Sequence, residues 1–175
     1  MMNPDDMEAI LKLVVAPHQP VPRITKGELL KHFHASSGTA LGRKLLNDAI
    51  AERSADDVEL ALMVASEFGI GEEYTEALVA LGGSDWHYKH EDVASALGDI
   101  RSPSSVPTLE HLAQWVPEYL EYDDARGLSS KSIRALGEIP GDEADAALHR
   151  LARSKDTEIS GLARRILDRR SNRSQ

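Results

Sequence analysis

Ala96-Leu97-Gly98-Asp99-Ile100 returns almost unchanged, 39 residues later, as Ala135-Leu136-Gly137-Glu138-Ile139. The match extends beyond the phrase. At the same offset Leu109 falls on Leu148, Leu112 on Leu151 and Ala113 on Ala152. Two stretches of chain share one plan: a helix ending in Ala-Leu-Gly-acid-Ile, a short turn, and a second helix carrying Leu-x-x-Leu-Ala. Leucines three apart lie on one helix face. A glycine at the same place in each copy suits a tight helix end or a close helix contact. So short a helix pair cannot bury its apolar stripe alone, and needs neighbours stacked on both sides.

Outward from this repeat, the chain reads as helix throughout. Residues 5–15 form a short helix, and 16–23 hold three prolines and form a loop. Thr25-Lys26-Gly27-Glu28 is a capping box that opens a helix through Phe33. Residues 39–53 place Leu41, Leu45, Leu46, Ala49 and Ile50 on one stripe. Ser54-Ala55-Asp56-Asp57 starts the next helix, with Val58, Leu62, Ala65 and Phe68 on one side and Gly69 as its stop. Further helices are expected over 72–81, 85–100, 107–116, 118–124, 130–139, 142–154 and 157–169. No segment alternates apolar and polar residues as a strand does. The expected fold is all-α: a single domain over 1–175, with an N-terminal helical cap (1–53), repeats (54–169) and a polar tail (170–175).

Composition narrows the function. Of 175 residues, 41% are hydrophobic and 28% charged, as in ordinary folded proteins, and there is no cysteine. That removes disulfides, thiol catalysis and cysteine-ligated zinc. No window approaches the roughly 18 apolar residues that span a bilayer. The first ten residues lack a basic and apolar leader, so the expectation is a cytoplasmic protein without membrane contact. The net charge of −9 is unevenly placed. Residues 1–53 carry 7 basic and 6 acidic side chains, 54–125 carry 2 and 16, and 126–175 carry 11 and 7. So acidic a middle third argues against a phosphate backbone as partner there, and suits a basic protein surface. Equally, a charge run can be a solvated face and nothing more.

The phrases "VASALGDIRSPSSVPTLEHLA" and "IRALGEIPGDEADAALHRLARSKDTEISGLARRIL" resemble HEAT repeats, in particular the short HEAT-like type first noted in phycobilisome lyases. Asp156-Thr157-Glu158-Ile159 is similar to that family's inter-repeat linker, although Ile159-Ser160 stands where its Val-Arg pair would be. The resemblance covers 91–169. Over 55–82 it extends as a helix pair without the Ala-Leu-Gly phrase. It implies a short right-handed α-solenoid and says little about activity. The spacing departs from the short type because "WVPEYLEYDDARGLSS" is inserted between two units. Insertions in such arrays map to loops or edges, often on the binding side.

Two stretches stand out as candidate sites. "DWHYKHED" (85–92) carries Trp86, His87, Tyr88 and His90 among acids. Read as helix, His87 and His90 share a face, but there is no HExxH and no third ligand at a telling spacing, so no metal is expected. Aromatic and imidazole groups beside acids have the composition of a protein-binding hot spot. "WVPEYLEYDD" (115–124) repeats the mixture with Glu118, Tyr119, Glu121, Tyr122, Asp123 and Asp124. Such a rim grips Arg- and Lys-rich surfaces through ion pairs and cation–π contacts. The bland reading of both stretches is helix-end packing, with Trp86 and Trp115 as anchors. No nucleophile elbow, Gly-rich phosphate loop or opposed carboxylate pair marks a catalytic site, and no cofactor is expected. The expected function is a non-catalytic adaptor or inhibitor that docks a basic protein, with a toxin-neutralising immunity protein as its sharper variant. The alternative is a HEAT-like enzyme acting on nucleic acid or on a bilin-type group. HEAT-like DNA glycosylases use Trp and Asp on a basic face, and Trp86 and Asp85 lack that basic surround.

Overall fold

A computed structural model describes residues 1–14 and 22–173, and every regular element among them is helical. Ten α-helices and three 3-10 turns are found there, with no strand. Most of the proline loop expected over 16–23 lies outside the described residues. No helix among them is long and apolar enough to cross a membrane. The chain divides into two compact units, Met1–Ala77 and Leu78–Gln175.

In the first unit each helix start is written locally. Asn3 caps α1 (Pro4–Leu13) by accepting the Asp6 N–H, and Pro4 occupies the first turn, where no amide partner is needed. Both halves of the Thr25–Glu28 capping box are made at α2 (Lys26–His32). Ser37 and Ser54 cap α3 (Gly38–Glu52) and α4 (Ala55–Phe68). These two helices form a hairpin that turns on Arg53, held in the left-handed region at φ 50°. The junction of residues 53 and 54 is thus the turn of a packed pair. Leu41, Leu45, Leu46 and Ala49 are buried, as their spacing predicts, together with Val58, Ala61, Leu62 and Ala65. Ile10, Leu13 and Leu29 bring α1 and α2 into the same core.

A 3-10 turn (Glu72–Tyr74) leads into α5 (Thr75–Gly82). The second unit then carries α6 (His90–Ile100), α7 (Val106–Leu112), α8 (Arg126–Glu138), α9 (Asp142–Leu151) and α10 (Thr157–Arg173). Helix α6 packs on α8, α8 on α10, and α7 on α9. The two repeat glycines serve this packing. A Cβ on Gly98 would lie 2.8 Å from the Ala135 Cβ and 3.1 Å from its Cα, on the neighbouring α8. A Cβ on Gly137 would lie 2.6 Å from Ile166 Cγ2, on α10. Of the two roles open to these glycines, close helix contact is the one found.

Several boundaries differ from the sequence reading. Helix α6 starts at His90, not at residue 85, because the chain after Gly82-Gly83 spends its hydrogen bonds on a loop. The ring of His87 takes the Lys89 N–H there. Helix α7 stops at Leu112, since Pro117 disfavours helix in the residues before it. The 118–124 segment is a 3-10 turn (Glu118–Asp123), not α-helix. Helix α8 begins at Arg126, ahead of the expected residue 130, after Asp124 and Ala125 turn the chain with φ of 54° and 51°. Nor do the last residues begin a free tail at 170: α10 runs through Arg173. Arg170 donates from Nη1 to the carbonyls of Leu136 (3.3 Å), Gly137 (3.0 Å) and Ile139 (2.6 Å), capping α8, and its Nε pairs with Asp145 at 2.7 Å.

Candidate functional site: an acidic-aromatic face over a buried histidine pair

The two stretches singled out from sequence meet in space. Tyr119, in the 3-10 turn, is the joint. Its hydroxyl donates to His90 Nδ1 at 2.9 Å and accepts the His90 backbone N–H at 3.4 Å. Its ring meets Tyr88 edge-on, with centroids 5.3 Å apart. Trp115, where α7 gives way to loop, closes the other side, edge-on to His90 at 4.8 Å and stacked with His111 at 5.4 Å.

Beneath lies a pair of imidazoles. His87 sits in the loop and His90 in the first turn of α6, yet their rings stack with centroids 4.0 Å apart and 21° between planes. Both are 0% exposed. His87 Nδ1 accepts from Lys89 N, so its Nε2 carries the proton and donates to the Leu81 carbonyl at 2.9 Å. His90 Nδ1 accepts from Tyr119, so its Nε2 donates to the Ser84 carbonyl at 2.7 Å. Each ring is therefore a neutral tautomer fixed by its partners. Burial disfavours the charged form. It lowers the pKa of His87 and takes that of His90 down to about 4, with neighbouring His87 and His111 adding to the fall and the Ser84 carbonyl opposing it. All four ring nitrogens are engaged, and a cation would have to break a hydrogen bond to find a lone pair. No group of three or more metal-ligating side chains converges among the described residues.

As placed, His87 and His90 are inside and offer a docked partner nothing to touch. Trp86 is half-buried, edge-on to His87 at 5.4 Å. The outward groups are Tyr88, 64% exposed, and Tyr122, 81% exposed, with Glu118, Glu121 and Asp124. Glu91, Asp92 and Tyr122 lie close enough to hold the Tyr119 hydroxyl pKa up, behind the larger effect of its burial. Asp123 turns one carboxylate oxygen inward, where it has no hydrogen-bond partner among the described residues. Asp124 leans toward Arg126 at 3.5 Å.

Pairing sorts the acidic middle third. Glu91 binds Lys131 at 2.8 Å. Glu110 holds Arg150 with two bonds, of 2.6 and 2.7 Å. These acids are neutralised by bases one helix pair along. Glu118 and Glu121 have no ion-pair partner among the described residues. The sequence reading missed His111 as a member of the ring cluster, although its spacing of four from Trp115 carried the signal. It also missed the pairing of Glu91 and Glu110, whose only trace was an opposite charge 40 positions further on.

No protein-family model matches the chain, and neither does any curated protein or any solved structure.

Proposed function

We propose that this protein is a non-catalytic binding module, built in its second unit as a HEAT-like stack, and that its acidic-aromatic face docks a basic protein. Support for the stack is contact at the repeat spacing. Gly98 touches Ala135, Glu91 pairs with Lys131 and Glu110 with Arg150, separations of 37, 40 and 40 against a repeat of 39. Translation of one helix pair onto the next produces contacts at its own period.

One observation carries the docking reading. Tyr119 gathers the two stretches into one face, on which Tyr88 and Tyr122 stand out beside the unpaired Glu118 and Glu121. Exposed tyrosines beside unpaired carboxylates receive guanidinium and ammonium groups by cation–π and ionic contact together. A basic nuclease toxin is the partner of this chemistry in the immunity variant, since an acidic wall mimics its substrate. The histidine pair serves as the rigid floor, not as contact.

The test uses a Glu118→Lys, Glu121→Lys, Tyr122→Ala variant. Its binding to a purified basic nuclease-toxin domain, chosen from a gene adjoining this one, is followed by calorimetry. Wild type should bind with an affinity that falls as salt rises, and the variant should lose that affinity with its helical circular dichroism intact. Undiminished binding by the variant would move the docking surface elsewhere.

A further inference from the structure

On the second unit a separate surface has the opposite sign. Arg134 of α8 stands in the wall of two concavities, of about 390 and 340 Å3. Arg165 lines the first and Arg169 the second, both from α10. All three side chains are exposed, and none has an ion-pair partner among the described residues. In a chain of net charge −9, three guanidiniums without an ion-pair partner around two adjoining hollows outnumber Asp99, the carboxylate there that likewise has no ion-pair partner among the described residues. Arg165 and Arg169 are one helical turn apart, about 6 Å. The floor is aliphatic: Ile133, Ile159 and Leu162 in the first hollow, Ala135 and Ile166 in the second.

We infer that the two hollows that share Arg134, one between α8 and α10 and the other walled by α6 as well, together dock an acidic, aliphatic-rich peptide segment of a partner protein. Three features select that occupant. Carboxylates two residues apart on an extended peptide are spaced by about 6–7 Å, which matches the arginine spacing. Guanidinium forks take carboxylates in bidentate fashion. Apolar residues between those carboxylates would meet the isoleucines and leucine of the floor. A nucleic-acid strand fits less well. Among the residues that line the two hollows there is no aromatic platform for bases. This surface is distinct from the acidic-aromatic face and does not depend on it.

The probe is a fluorescein-labelled peptide of alternating Asp and Leu, with its Asn-for-Asp counterpart as control, read by fluorescence anisotropy on the whole protein. Wild type should bind the acidic peptide and not the control. Arg134→Ala, Arg165→Ala and Arg169→Ala together should weaken binding by roughly tenfold or more, with circular dichroism unchanged. Should that variant fold poorly, the three Arg→Lys changes keep the charge but remove the fork, and should bind measurably less tightly than wild type. Failure of wild type to bind, or equal affinity in the variants, overturns the inference. So does equal or tighter binding of an oligouridylate of matched charge, which would assign the hollows to RNA. Self-association at low salt that disappears in the alanine variant would assign them to a second copy of this chain.

Discussion

At the scale of single residues, His90 joins packing to protonation. Its ring is held between His87, Trp115 and Tyr119, with His111 beyond Trp115, and none of these presents it with a negative charge. An unfolded histidine binds its proton near 6.5, whereas folded His90 does so only at about 4. Between those values the unfolded chain holds a proton that the folded one refuses. Stability from this residue is therefore full above about pH 6.5, declines as pH falls to about 4, and changes little below; the difference is worth about 3 kcal/mol. Urea midpoints measured through that window should slope downward toward acid in wild type and less steeply in His90→Gln, where the lowered pKa of His87 still leaves a slope. An equally steep slope in the variant would place the sensitivity elsewhere.

At the scale of elements, α6 and α8 approach each other closely at Gly98. Alanine there brings a methyl group against backbone as well as side chain, so either helix must move. Overpacking of this kind costs about 1–3 kcal/mol, more than alanine's helix preference of about 1 kcal/mol returns. Gly98→Ala should lower the urea midpoint. Gly137→Ala, which meets only the Ile166 side chain, should lower it less. Equal losses at the two positions would mean that α10 is as firmly held against α8 as α8 is against α6. The glycines were legible in the sequence because they recur in register. The 85–89 loop was not, because Trp86 to Lys89 carry no breaker residue, and the bonds that unwind the segment come from Leu81, Ser84 and Tyr119, which no local pattern announces.

At the scale of the molecule, the helical class was legible from periodicity and from caps such as Thr25–Glu28, and part of the candidate face was legible from composition. Its orientation was not. Burial of His87 and His90 depends on a tyrosine 29 residues beyond His90. Charge behaves similarly: the acidic third and the basic third look like separate surfaces in one dimension, and part of each is spent on the other. Glu110 and Arg150 measure that coupling. Arg150 is exposed and Glu110 only partly covered, so each single charge reversal, Glu110→Arg or Arg150→Glu, should lower the urea midpoint only slightly, and the double swap should recover most of that loss. A double mutant that stays as weak as the sum of its parents would mean the contact contributes no stability. The buried imidazoles have one more use. Their Nε2 protons, each hydrogen-bonded to a carbonyl and shut away from solvent, should exchange slowly enough to give their own resonances in a proton spectrum. Each would be a natural lamp beneath the tyrosine surface, dimming when the loop above it opens and shifting when a partner settles there.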